Sequence, residues 1–100
     1  MITAEMMQRG HAVFGSDFDR YLALGEGAAD IHADAILTAD DPPEDESEIL
    51  AKIVLAVSGE MTERGRTDEE TAFAVEVTLT AFAARLAALA AGVTAPAGHA

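Results

Sequence analysis

One hundred residues with 18 acidic and 6 basic side chains, and a formal charge of -12, form a single acidic domain with a modest core. This charge argues against nucleic acid and anionic membranes as direct partners, because both are bound through lysine and arginine. No cysteine is present, which excludes disulfides, thiolate metal sites and cysteine nucleophiles. The N-terminus lacks a basic region followed by an apolar stretch, so we expect a cytoplasmic protein without a membrane partner.

The first predicted helix runs from about Thr3 to Phe14. Met6 and Val13 lie a heptad apart, with Met7, His11 and Phe14 on a neighbouring stripe. Gly15 then interrupts the apolar spacing. The pattern predicts a short amphipathic helix that ends at this glycine.

The second predicted helix starts at Ser16, a favoured N-cap residue, and reaches about Ala39. Two glycines interrupt it in the segment "LGEGAAD". Each costs about 1 kcal/mol relative to alanine in a helix interior. Gly25 and Gly27 therefore indicate a kink, a break or a close approach by another helix, and we favour a continuous or kinked helix.

The third predicted helix follows the acidic segment "DPPEDESEIL". Pro42 and Pro43 suit the region before and at a first helical turn, and the carboxylates after them favour the positive end of a helix dipole. The acidic run thus has a local explanation as a helix start. Apolar residues then recur at spacings of four and three, at Leu50, Val54, Val57 and Met61.

Gly65 is a predicted C-cap for that helix, and Thr67 with Glu70 forms a capping box for the next. The fourth predicted helix spans about residues 68–91. It carries two apolar stripes, a continuous one and a shorter one beside it. The first contains Val75, Leu79, Phe82, Leu86, Leu89 and Val93, and the second contains Phe73, Val77 and Ala84.

These elements predict an all-α fold, a small antiparallel bundle of three to four helices completed by homodimerisation. The domain covers residues 1–92, with a disordered tail at 93–100. "FAVEVTLT" also alternates like a strand and "KIVLAV" is rich in β-branched residues, so a strand pair is the competing interpretation. The capping box and the alanine-rich continuation favour the helix.

Histidine offers the main candidate for ligand chemistry. His32 lies on the second helix near Glu26 and Asp30, which makes these three weak metal candidates, but the expected environment is a half-exposed histidine on an acidic helix. Bundle metal sites normally use a glutamate with a histidine three residues later, which this chain lacks. His11 could meet His32 across an interface as a pH-sensitive contact. We expect no cofactor and no metal.

We therefore expect a non-enzymatic protein–protein interaction module, an adaptor, inhibitor or assembly accessory. It would self-associate as a homodimer or higher oligomer through the fourth helix, at Val75, Leu79, Phe82, Leu86 and Leu89. It would present an acidic face to a basic protein, formed by Asp30, Asp34, Glu44, Asp45, Glu46 and Glu48.

Two alternatives stay open. The first is a ligand- or metal-binding helical protein that uses His11, His32 and nearby carboxylates. The second is a nucleic-acid mimic, whose carboxylates would occupy a DNA-binding protein with an affinity that falls steeply with salt.

Overall fold

A computed structural model describes residues 2–38 and 46–94, and within these ranges the chain forms four α-helices and no strand. They are α1 (Ala4–Phe14), α2 (Asp17–Thr38), α3 (Glu46–Glu63) and α4 (Asp68–Thr94). The all-α prediction is confirmed. Both segments of the competing strand interpretation are helical, so that interpretation is wrong.

Helix α1 has the boundaries that its end residues predict. The side chain of Thr3 accepts a hydrogen bond from the backbone N–H of Met6, and Gly15 ends the helix at a φ of +61°. Its buried residues are Gly10 and Phe14. A Cβ atom on Gly10 would overlap the ring of Phe18, so the missing side chain lets α2 pack directly on the α1 backbone.

Helix α2 is continuous through both glycines, as favoured from the sequence. The two have different surroundings. A Cβ on Gly25 would overlap the carbonyl oxygen of Thr78 and lie 3.0 Å from the Cβ of Ala81, whereas a Cβ on Gly27 would have no neighbour within 4 Å. Gly25 therefore marks the close approach of α2 and α4.

The turn between α3 and α4 follows the predicted capping chemistry. Gly65, at φ +71°, donates its N–H to the carbonyl of Thr62, and Arg66 donates to the carbonyl of Met61, which is a Schellman motif. In the capping box, Glu70 N–H donates to Thr67 Oγ1 at 3.1 Å, and Thr67 N–H donates to the Glu70 carboxylate at 2.9 Å. Both predictions are confirmed.

Helix α4 lies at the centre of the fold and packs chiefly on α2, then on α3. Its deeply buried face differs from the predicted one. It combines Phe73 and Val77 of the shorter predicted stripe with Phe82 of the continuous one, and adds small residues that allow close packing with α2, namely Ala74, Thr78 and Ala81. The helix continues to Thr94, beyond both its predicted end and the domain boundary at 92/93, and residues 95–100 of the predicted tail lie outside the described ranges.

Side-chain contacts give the helix directions. Tyr21 contacts Met61 while Ile31 and Ile49 line the same cavity, so α2 and α3 are antiparallel. Phe18 stacks with Phe73 and His32 packs near Phe82, so α2 and α4 run in the same direction. The stacked and edge-on rings at one end hold α1, α2 and α4 together; they are Phe14, Phe18, Tyr21 and Phe73.

Candidate functional site

The candidate site is an apolar groove between the second half of α2 and the first half of α3. It forms an open cavity of about 390 Å³. The two helices are joined by side-chain contacts where α2 begins and α3 ends, and the cavity lies towards the other end of the pair. We call this feature the α2–α3 groove; its lining residues are Ala28, Ile31, His32, Ala35, Ile49, Lys52 and Ile53.

Ion pairs close the opposite end of the α2–α3 pair. Arg20 lies 2.5 Å from Glu60 and 3.6 Å from Asp17, while Arg64 lies 2.6 Å from Asp17 and 3.2 Å from Glu60. The hydrogen bond to Glu60 raises the pKa of the Arg20 guanidinium, which stays charged. These four side chains are partly exposed, so solvent screens each pair and none is a large source of stability. Their geometry nevertheless fixes where α2 and α3 meet.

His32 is buried at the edge of the core, with only 7% of its surface exposed. Its ring centroid lies 6.3 Å from that of Phe82, and its Nδ1 atom has no hydrogen-bond partner within the described part of the chain. The expected half-exposed position is therefore wrong, because α2 turns this residue towards α4. An unpaired buried polar atom costs about 1–3 kcal/mol.

The weak metal candidates are separated by their environments. Glu26 and Asp30 are exposed, and Asp30 accepts a hydrogen bond of 2.8 Å from Arg85, whereas His32 is buried. Across residues 2–38 and 46–94, no three histidine, aspartate or glutamate side chains are grouped closely enough to hold a metal ion. His11 is exposed and has different neighbours from His32, since its Nε2 lies 3.2 Å from Asp19 and its ring packs edge-on against Phe18.

The predicted acidic face is distributed over two helices. Asp30 forms an ion pair with Arg85. Asp34, Glu46 and Glu48 are exposed on the parts of α2 and α3 that form the groove. Glu44 and Asp45 lie outside the described residues. Three carboxylates of the predicted acidic face thus lie near the apolar α2–α3 groove, which was not predicted from the sequence.

The residues of the predicted self-association face on α4 differ in how deeply they are buried. Phe82 is fully buried inside the chain and is unavailable to a partner, which corrects that part of the interface. Val75, Leu79 and Leu86 are half-buried against the core, and Leu89 is half-buried beyond it. From Ala83 to Ala91 no residue is fully buried. Only the distal half of α4 therefore keeps a broad accessible apolar surface.

The exposed flank of α2 was missed from the sequence. Leu24 is 43% exposed and Ile31 is 74% exposed, on the same helix as the buried Phe18 and Tyr21. The signal was present in the spacings of four, three and four along one flank of α2, at Leu24, Ala28, Ile31 and Ala35. This second stripe could have been separated from the core stripe by its angular position.

Helix α4 is also long and apolar enough, from Asp68 to Ala91, to cross a membrane by length and composition. About a third of its most apolar stretch is buried within the fold. Core helices of water-soluble proteins share these properties, so this observation assigns no membrane role. The expected absence of a membrane partner stays a prediction.

Comparisons of the chain with known protein families, with curated proteins and with solved structures find no significant match.

Proposed function

We propose that this protein is a non-enzymatic interaction module, an adaptor, inhibitor or assembly accessory, that binds a basic protein through the surface around the α2–α3 groove. The observation that carries the proposal is that the arginine side chains are engaged in contacts within the protein. All five arginines make contacts within the chain, so the surface offered to a partner is dominated by carboxylates.

Three arginines form ion pairs between helices, and two make other contacts within the chain. The interhelical pairs are those of Arg20, Arg64 and Arg85. Arg66 contacts Glu70 at 3.2 Å and donates to the carbonyl of Val13, and the guanidinium carbon of Arg9 lies 4.5 Å from the centre of the Phe73 ring.

The remaining surface charge is strongly negative. Exposed carboxylates outside those arginine pairs occur on all four helices, at Glu5, Asp19, Glu26, Asp34, Glu46, Glu48, Glu63, Asp68, Glu69 and Glu76. A basic partner would be attracted over a distance of about 10 Å at moderate salt, and acidic competitors would be repelled.

Affinity capture with charge variants tests this proposal. The triple variant Asp34→Asn, Glu46→Gln, Glu48→Gln neutralises acids beside the groove. A control, Glu63→Gln, Glu69→Gln, Glu76→Gln, neutralises the same number elsewhere. We expect a basic protein captured from the native cell to be lost by the first variant and retained by the control.

The captured protein is then purified and its affinity measured at low and high salt. Equal retention by both triple variants, or capture of acidic proteins only, would contradict the proposal. A captured DNA-binding protein that releases its DNA, with an affinity that falls steeply with salt, would instead favour the nucleic-acid mimic.

Self-association through the distal half of α4 is a second candidate. It is favoured by the absence of any fully buried residue from Ala83 to Ala91, a stretch that includes the half-buried Leu86 and Leu89. Two chains of charge -12 repel each other, so the apolar contact must outweigh that repulsion. Sedimentation velocity over a range of concentrations measures the balance.

A further inference from the structure

We infer that the α2–α3 groove docks the apolar face of a basic amphipathic helix supplied by another protein. This inference rests on the proposed function and specifies the kind of segment that the partner contributes. It is carried by three observations, namely the lining of the groove, its length along α2 and the charges beside it.

The lining is suited to an apolar side chain. Five of its seven residues are alanine or isoleucine, and the other two, His32 and Lys52, supply the polar atoms. The cavity of about 390 Å³ falls within the range of preformed binding pockets, roughly 300–1,000 Å³. Ile31 stands beside it with 74% of its surface exposed, so an occupant would remove a large aliphatic side chain from water.

The length of the groove favours a helix as the occupant. The lining positions on α2 run from Ala28 to Ala35, a distance of about 10 Å along the helix axis. This corresponds to about two turns of an opposing helix, which would present side chains at positions i, i+4 and i+7. Helix-in-groove recognition uses anchors at these spacings.

The charges beside the groove decide between a second copy and a foreign helix. Asp34 follows Ile31 by three residues on α2, and Glu48 precedes Lys52 by four on α3, so each carboxylate neighbours a lining residue. Both carboxylates are exposed, as is Glu46, and together the three outnumber Lys52, the one basic residue of the lining. A helix with lysine or arginine beside its apolar stripe matches these charges, whereas a second copy brings another -12.

The test uses two synthetic fluorescent peptides of about 18 residues, or five helical turns. Both contain the same leucine, lysine and alanine residues. In the amphipathic peptide the leucines recur at i, i+3, i+4 and i+7, and in the scrambled peptide they do not. Binding is measured by fluorescence anisotropy at low and high salt. We expect both to bind at low salt, and the amphipathic peptide alone to keep measurable affinity at high salt.

Ile31→Asp and Leu55→Asp form a matched pair for this experiment. Ile31 and Leu55 are each 74% exposed, so neither substitution disturbs the core. Both substitutions change the net charge by the same amount. Only Ile31 lines the groove. We expect Ile31→Asp to weaken the amphipathic peptide by about tenfold or more and Leu55→Asp to leave its affinity within about twofold. Ala35→Leu, which fills the groove without adding charge, should also weaken it.

The outcomes separate this inference from the proposed function. Equal high-salt binding of the two peptides, or no difference between the matched variants, would overturn groove docking and leave a purely electrostatic basic partner in place. Failure of both peptides at low salt would overturn both proposals. A dimer that depends on Ile31, or uptake of decanol without peptide binding, would overturn the inference in favour of a second copy or a small apolar ligand.

Discussion

Gly25 on α2 lies so close to the backbone of α4 that a Cβ atom there would overlap the carbonyl oxygen of Thr78. This approach lets two helices that run in the same direction share a face of small residues. Large side chains fill the core on either side of the contact, where Phe18 and Phe82 are fully buried. The close packing of α4 on α2 therefore depends on the lack of a side chain at Gly25.

The two glycines of α2 should respond oppositely to alanine. Gly25→Ala forces the helices apart and should lower the free energy of unfolding by about 1–3 kcal/mol or more. Gly27→Ala meets no neighbour and should raise it by about 0.5–1 kcal/mol, because alanine is the better helix former. Urea unfolding followed by circular dichroism measures both, and equal effects would contradict the assigned packing.

Aspartate should have different effects on folding at a buried and at an accessible residue of the predicted α4 interface. Phe82→Asp buries a charge in the core and should unfold the chain, because such a group costs several kcal/mol without a partner. Leu89→Asp should keep the helical signal and dissociate any oligomer formed through distal α4. Circular dichroism and sedimentation velocity test the pair; a cooperative thermal transition in Phe82→Asp would show that the residue is not core.

The capping box predicts a pH dependence at the start of α4. The backbone N–H of Thr67, above all, and then its hydroxyl and Arg66 lower the pKa of Glu70 below its ordinary value of 4.5. The carboxylate therefore contributes its full stabilisation above pH 4.5, and this contribution is lost as the pH falls through the lower folded-state pKa.

Glu70→Gln keeps a hydrogen-bond acceptor in the box but removes this titration. We expect the free energy of unfolding of the wild type to fall more steeply than that of Glu70→Gln below about pH 4.5. Urea titrations at a series of pH values measure the slopes, with Glu69→Gln as the control for net charge. Identical slopes for wild type and Glu70→Gln would exclude the role of the box.

Replacement of the buried histidine should stabilise the fold. His32→Leu removes the unpaired Nδ1 atom and should raise the free energy of unfolding by about 1 kcal/mol at neutral pH. His11→Leu is the control, because that ring is exposed and bonds Asp19, so no comparable gain is expected. Chemical denaturation compares them, and a loss of stability in His32→Leu would indicate that Nδ1 has a partner in solution.

Much of the secondary structure was predictable from short segments. The ends of α1 at Thr3 and Gly15 and the capping box at Thr67 and Glu70 follow from hydrogen bonds between residues three or four apart. On α3 the predicted stripe is buried at Val57 and Met61, whereas Leu50 and Val54 are half-buried and Ile53 completes the buried face.

The candidate site was less accessible to sequence reasoning. The acids Asp34, Glu46 and Glu48 were identified, but the groove beside them was not, since it depends on where α2 and α3 separate. On α4 the continuous stripe was assigned to self-association, whereas its member Phe82 is fully buried in the chain together with the small residues Ala74 and Ala81. A single helix carries no information about which neighbour can approach closely enough to bury such residues.

The sequence by itself determined four helices, most of their ends and a strongly acidic surface, because caps, periodicity and charge act within a turn or two of the chain. The tertiary structure alone decided that Phe82 is core, that Ile31 is exposed and that His32 is buried. These outcomes depend on contacts between residues tens of positions apart. Because Gly25 has no side chain, α4 can pack closely on α2, and this packing decides which faces of α2 and α3 stay exposed to solvent.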